Sequence, residues 1–217
     1  ICVQVIVFVA LATRGGTAAA AGEALVADAA ENREAAVIET LLKTGVDVNA
    51  AQVDGMTALH WAVYHDDFQT AKLLVNAGAD VRLENRYGVA PISLASTNGN
   101  GSLVDLLLEF GADSNTVLSG GETVLMTASY AGSLDVVESL LRHGADPNAT
   151  EHRNQTALMW AAAEGHALVV DALLDAGADV HAKLYSGFTS MFFAIRTIVI
   201  CALGDGCMKR VKSCVAI

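Results

Sequence analysis

Residues 154–182 read NQTALMWAAAEGHALVVDALLDAGADVHA, and this stretch decides the fold. Thr156 can cap the N-terminus of a short helix, because its hydroxyl accepts a backbone N–H that has no partner within the helix. Small and apolar residues then recur at helical spacing, and Gly165 suits the left-handed residue that ends a helix. A second apolar helix follows and ends at Gly177. Neither helix is long enough to be stable alone in water, so the unit needs neighbours.

The same unit recurs along the chain with a period of 33 residues. The helix-capping position is occupied in turn by Ala24, Thr57, Ala90, Thr123, Thr156 and Thr189. The helix-ending glycine recurs, with an aspartate two residues later, at Gly45 and Asp47, Gly78 and Asp80, Gly111 and Asp113, Gly144 and Asp146, and Gly177 and Asp179. A fixed period with two short helices predicts a stacked array of repeats.

At these residues the chain resembles the ankyrin repeat family. The T-P-L-H motif of that family appears as Thr57-Ala58-Leu59-His60 and Thr156-Ala157-Leu158-Met159, and its G-A-D-V-N-A motif as Gly45-Val46-Asp47-Val48-Asn49-Ala50. The resemblance covers about residues 23–196. It implies an all-α ankyrin repeat solenoid, in which helix-turn-helix repeats are joined by hairpin-like connectors. We predict five repeats and a partial sixth over residues 22–196, with a polar N-terminal cap repeat at about 23–52.

Residues 1–21 differ from the repeats and favour a signal peptide. An apolar run of twelve residues, 1–12, is too short to span a bilayer but suits the core of a signal, and Ala19-Ala20-Ala21 before Gly22 resembles a cleavage site. We expect the start of this signal to be missing, since no positively charged region precedes the apolar run. The alternative is a hydrophobic helix packed on the array. A signal implies export to a periplasm or the exterior, and its absence implies a cytoplasmic protein.

Residues 197–217 do not continue the array. A second helix would need paired aliphatic residues near 206–207, where Gly206 and Cys207 stand, and the connector glycine would fall at Arg210. The tail is either a degenerate cap repeat or the product of a frame error or read-through, and we assign no function to it. The cysteines lie outside the repeats, at 2, 201, 207 and 214. A repeat body without thiols is compatible with an oxidising compartment, and no disulfide framework is indicated.

Charge and motif content argue against several classes of function. The net charge of −11 disfavours a nucleic-acid backbone or an anionic membrane as partner. His60 and His166 fall on structural positions of the repeat, and His65 points elsewhere than His60, so a metal site is not indicated. No G-x-S-x-G occurs, and the glycine-rich pieces at 99–101 and 119–121 lack the lysine of a phosphate loop. We therefore predict no enzyme activity, no cofactor, no metal and no small-molecule substrate.

The resemblance implies that partner proteins bind at the hairpin tips and at the exposed ends of the first helices. All four tyrosines of the chain fall in this set, and tyrosine is over-used at protein interfaces. The alternative is that tyrosine simply favours half-exposed sites. The predicted binding residues are Asp54, Met56, Tyr64, His65, Arg86, Tyr87, Val89, Asn98, Glu122, Tyr130, His152, Arg153, Gln155, Glu164, Tyr185 and Phe188.

We interpret the chain as a non-catalytic, monomeric scaffold that binds another protein. The alternative is that the repeats form the accessory binding region of a longer exported enzyme. The sequence assigns Trp61 and Trp160, which share an offset in their repeats, to packing between repeats. It also predicts that Leu141 is buried in the second helix of the fourth repeat, and that changes there cost stability whereas changes at Tyr130 affect binding.

Overall fold

The computed structural model describes residues 24–193, so the predicted signal at 1–21 and the predicted tail at 197–217 lie outside the described residues. Ten complete helices follow one another in pairs within that range, and a further helical turn begins at 190. Their bounds are α1 Leu25–Glu31, α2 Ala35–Lys43, α3 Ala58–Tyr64, α4 Phe68–Asn76, α5 Pro91–Asn98, α6 Gly101–Glu109, α7 Val124–Ala131, α8 Leu134–Arg142, α9 Ala157–Glu164 and α10 Ala167–Asp175.

The pairs stack into two helical layers. The first helices of successive repeats pack on one another in the order α1, α3, α5, α7 and α9, and the second helices α4, α6, α8 and α10 pack in the same order beside them. Between residues 24 and 193 the backbone forms no strand, only isolated bridges that join Val117 to Thr123 and Lys183 to Thr189. The predicted all-α solenoid with hairpin-like connectors is therefore confirmed.

The helices begin where the capping threonines stand. The side chains of Thr57, Thr123 and Thr156 each accept the backbone N–H three residues later. Ala24 and Ala90 occupy the same position without a side-chain cap, and in the second case Pro91 opens the helix. Proline is tolerated there because the first helical N–H lacks a helical partner in any case.

Two glycines show why the turns need that residue. Gly165 ends α9 with φ of +76°, a left-handed conformation that a Cβ penalises. Gly55 lies in the hairpin before α3 with φ of +85°, and a Cβ there would come within 2.7 Å of the backbone nitrogen of Arg86 in the next hairpin. Glycine at this second position therefore also permits neighbouring hairpins to pack closely.

The connectors repeat one pattern of hydrogen bonds. Each of the five aspartates accepts the backbone N–H two residues later, at 2.8–2.9 Å. Three asparagines then bridge to the next connector: Asn49, Asn115 and Asn148 donate Nδ2–H to a glycine carbonyl at 3.0–3.3 Å and accept an aspartate N–H at 2.7–2.8 Å. We call each such bridge an asparagine rung. The aspartate series therefore holds the backbone of the connectors in one repeated conformation.

Burial follows the stacking, with one correction to the sequence prediction. Residues 31–37 are all exposed and α2 buries only Ile38, which matches the polar first repeat expected from the sequence. In α8 the fully buried leucine is Leu140, whereas Leu141 is only half-buried against the core. The prediction that Leu141 is buried is therefore wrong, because helical periodicity turns Leu140 toward the neighbouring repeats and Leu141 toward the edge.

No helix among residues 24–193 is long and apolar enough to cross a membrane.

Candidate protein-binding face

The four tyrosines are all exposed. Tyr64 and Tyr130 stand at the C-terminal ends of α3 and α7, with 57% and 54% of their surface accessible. Tyr87 and Tyr185 stand in hairpins, with 69% and 83% accessible. An exposed tyrosine ring leaves apolar surface in water, and this surface is available for burial against a partner. The placement predicted from the sequence is thus observed, whereas the binding role stays a prediction.

Two of these tyrosines belong to aromatic clusters on the first-helix layer. The Tyr64 ring meets the Trp61 indole edge-on with centroids 5.6 Å apart, and the His65 ring stacks on the same indole at 5.8 Å. The Tyr130 ring meets the Trp160 indole edge-on, also at 5.6 Å. The first cluster forms at the end of one helix, through i, i+3 spacing, and the second joins two neighbouring repeats. We call these five residues the aromatic face.

The four first helices α3, α5, α7 and α9 carry little charge. Among the residues of α3, α5, α7 and α9, Glu164 is the one Asp, Glu, Lys or Arg side chain, although the whole chain has a net charge of −11. The second helices carry the charges instead, such as Asp105 and Glu109 in α6. Depletion of charged residues and enrichment of aromatic ones mark the central part of protein interfaces. Five residues of each of these four helices are buried, and their exposed residues include Tyr64 and Tyr130 as well as the single charge of Glu164.

The predicted binding residues divide by exposure. Ten are exposed: Tyr64, Arg86, Tyr87, Asn98, Tyr130, His152, Arg153, Glu164, Tyr185 and Phe188. Six are half-buried: Asp54, Met56, His65, Val89, Glu122 and Gln155. The Phe188 ring stacks on that of Phe192 at 4.1 Å, so it adds to a separate aromatic pair near the end of the described residues.

Several half-buried members of the set already hold the fold together. The Asp54 carboxylate accepts the N–H of Met56, whose sulfur lies 3.4 Å from the Asn85 side-chain nitrogen. Exposed Asn98 likewise donates its amide N–H to the carbonyl of Val63 at 3.0 Å, in the preceding repeat. These side chains therefore position the hairpins and helices.

His65 links the first two repeats. Its Nε2 lies 3.0 Å from the carbonyl oxygen of Glu31, and its Nδ1 lies 3.1 Å from the guanidinium of Arg33. Arg33 is a donor only, so Nδ1 accepts from it and Nε2–H donates to the carbonyl. The imidazole is thereby held with its ring against Trp61, as part of the aromatic face.

His60 is a structural residue, as the sequence predicts. Its Nδ1 accepts the N–H of Thr57 at 3.2 Å, and Nε2–H donates to the carbonyl of Val89 in the next repeat at 2.9 Å. Burial lowers the pKa of His60 below its ordinary value of 6.5, outweighing the opposite effects of the Val89 carbonyl and the Asp54 carboxylate. A neutral imidazole that joins two repeats cannot also serve as an accessible acid or base.

Other residues that could suggest a metal, phosphate or catalytic site also have structural places. No group of three His, Cys, Asp or Glu residues within 24–193 is arranged to hold a metal ion. Gly99 ends α5 and Asn100 caps α6 by accepting the N–H of Leu103, so the glycine-rich piece is a helix junction. His166 lies with Nε2 3.0 Å from the carbonyl of Tyr130 and thus supports the helix that carries this tyrosine.

The sequence prediction left the two tryptophans out of the face. Trp160 contacts Tyr130 of the preceding repeat, which confirms a packing role, and both indoles pack partly against the core. However, both are only half-buried and lie directly beside exposed tyrosines. The signal that could have found them is spacing: Trp61 lies three residues before Tyr64, on the same helical face.

Comparison with known proteins identifies the family. Two family models match the chain: one described as ankyrin repeats in three copies, over residues 92–184, and one described as ankyrin repeats in many copies, over residues 26–75. Together these matches cover well over half of the chain. No curated protein matches it. The chain therefore belongs to the ankyrin repeat family, whose repeats are generally protein–protein interaction modules and are typically not catalytic.

Proposed function

We propose that this chain is a non-catalytic scaffold that binds a partner protein through the aromatic face. The observation that carries the proposal is that exposed tyrosines stand on the first helices α3 and α7, neither of which contains an Asp, Glu, Lys or Arg. Aromatic anchors contribute much of the binding energy at protein interfaces, because their rings bury a large area at a small entropic cost. The net charge of −11 favours a protein partner over a nucleic acid.

Site-specific photo-crosslinking tests where the partner binds. A photoreactive phenylalanine analogue replaces Tyr130 in one variant and Leu168 in another. The two positions are comparably accessible, at 54% and 67%, but Leu168 lies in the second helix α10. We expect a defined adduct with a host protein from position 130 and none from position 168. Adducts from both positions alike, or from 168 alone, would contradict the proposed face.

The chain itself is proposed to lack hydrolase, transferase and redox activity, and to be a monomer. The support is that His60, His65 and His166 each bond to a neighbouring repeat, and that the buried serines lie in helices or bond between repeats. A broad substrate screen on the purified chain tests the first point. Turnover that one surface substitution abolishes would show that it is wrong. Light scattering after size exclusion tests the second point, and a dimer mass would contradict it.

Export is a separate proposal, which rests on the composition of residues 1–21. An apolar stretch followed by Ala19-Ala20-Ala21 is typical of a signal peptide and its cleavage site. N-terminal sequencing of the protein recovered from its host is expected to begin near Gly22. Recovery of residues 1–21 intact on cytosolic protein would instead favour an uncleaved segment and a cytoplasmic location.

A further inference from the structure

One asparagine rung is missing between the second and third repeats. Arg82 stands where Asn49, Asn115 and Asn148 stand in their connectors. Its guanidinium lies 3.6 Å from the Asp80 carboxylate instead, and its side chain is 72% exposed. The groups that a rung would engage are the carbonyl of Gly111 and the N–H of Asp113, and neither has a hydrogen-bond partner among residues 24–193.

The backbone around this gap has the conformation of an occupied rung. Gly111 has φ of +93°, the same value as Gly78, whose carbonyl accepts from Asn49. The Asp113 carboxylate accepts the N–H of Asn115 at 2.9 Å, as in the other connectors. The unpaired carbonyl and N–H are therefore presented as the bonded pairs are elsewhere in the array.

A cleft of about 400 Å³ lies beside this gap, and its lining includes Arg82 and Asp113. Buried Val81, Ala90 and Ile92 form its apolar side, and Arg82, Glu84 and Asp113 contribute its polar side. Glu84 directly precedes the hairpin that carries exposed Tyr87. A protein that contacts this hairpin thus has within reach a recess with apolar walls, and beside it an exposed carbonyl and N–H that no group of residues 24–193 pairs.

We propose that this cleft receives a side-chain carboxamide, from an asparagine or glutamine of the partner protein. A carboxamide carries a donor and an acceptor on the same end, so it satisfies both backbone groups as the three asparagine rungs do. A carboxylate would face the Gly111 carbonyl with a second acceptor, and a guanidinium would face the Asp113 N–H with a second donor. The proposal rests on the proposed function, since it assigns one contact of that partner.

Nuclear magnetic resonance of the labelled chain tests this site without the partner. The probes are N-acetyl-asparagine methylamide and N-acetyl-aspartate methylamide, which differ only in carboxamide against carboxylate. We expect the asparagine probe to shift the Asp113 amide resonance in a saturable manner and the aspartate probe to leave it in place. No shift with the asparagine probe, or equal shifts with both probes, would overturn the proposal.

Two variants at one position sharpen the test. Arg82→Asn supplies a rung from within the chain, so the response of Asp113 to the asparagine probe is expected to be lost. Arg82→Ala leaves the gap open, so the response is expected to persist without the guanidinium. A response that survives in Arg82→Asn, or that disappears in Arg82→Ala, would contradict the proposal. Because crosslinking at Tyr130 is a separate measurement, failure of the cleft and failure of the aromatic face are distinguishable.

Discussion

At the scale of single residues, two buried groups show how a repeated framework tolerates local change. His60 is fully buried and uses both ring nitrogens, whereas Met126 and Met159 fill the same position two and three repeats later without such bonds. Ser96 and Ser129 are fully buried at another shared position, and neither hydroxyl has a partner among the described residues. Burial of His60 makes the free energy of unfolding depend on pH. Replacing an unpaired serine hydroxyl is expected to raise that free energy.

His60→Met is expected to reduce the acid sensitivity of unfolding. Burial lowers the folded pKa of His60 below 6.5, so the unfolded state takes up the proton more readily. The stability that neutral His60 contributes is therefore complete above pH 6.5 and is lost as the pH falls through 6.5 toward the folded pKa. Urea unfolding about one pH unit above and below 6.5 measures this. Equal losses in the variant and the parent chain would contradict the assignment.

Ser129→Ala is expected to raise the free energy of unfolding by about 1 kcal/mol, because a buried hydroxyl without a partner costs about 1–3 kcal/mol. Ala162 already occupies the same position one repeat later and is buried, so the alanine fits. Urea unfolding checks the gain. Exposed Ser102 in α6 is the matched control, and its change to alanine should stay within about 0.5 kcal/mol. A loss of stability in Ser129→Ala would mean that the hydroxyl is bonded.

At the scale of one helix, the capping threonines define where elements begin. Thr156→Ala removes the acceptor for the Met159 N–H and should destabilise the array by about 1 kcal/mol. Thr97, exposed near the end of α5, is the control, since its replacement by alanine removes no cap and should change stability by less than about 0.5 kcal/mol. If the two variants unfold at the same urea concentration, the cap contributes nothing measurable.

Helix bounds and turns could be predicted from the sequence because their signals are local. Thr156, Gly165 and Gly177 each act on the backbone within a few residues, so their positions mark the helix ends directly. Which residues within a helix are buried is harder to predict from the sequence, as Leu140 and Leu141 show. Both are aliphatic neighbours, and only the direction of the adjacent repeats decides which of them is buried.

At the scale of the whole molecule, stability and binding are expected to be separable. Leu140→Ala should cost about 2–5 kcal/mol, because a fully buried leucine is removed from a repeat held between two others. Tyr130→Ala should cost less than about 1 kcal/mol of stability, yet weaken partner binding by about 1–2 kcal/mol if its ring is an anchor. Half-buried Leu141→Ala should fall between them in stability. Urea melts and binding to the crosslinked partner measure both effects.

Unfolding of Tyr130→Ala as readily as Leu140→Ala would place this tyrosine in the core and remove the basis of the aromatic face. Loss of binding in both variants would not by itself decide the matter, so binding is compared at urea-free conditions where both remain folded. The stability data therefore come first.

The sequence by itself determined the period, the helix pairs, the connector aspartates and the exposure of the tyrosines. These follow from capping, glycine conformation and helical spacing, which act over a few residues and repeat every 33. Only the tertiary structure decided that Tyr130 meets Trp160, that His65 spans two repeats, and that Arg82 interrupts the asparagine rungs over a cleft. Those features join groups from different repeats, and stacking brings such groups together whereas local signals do not reach them.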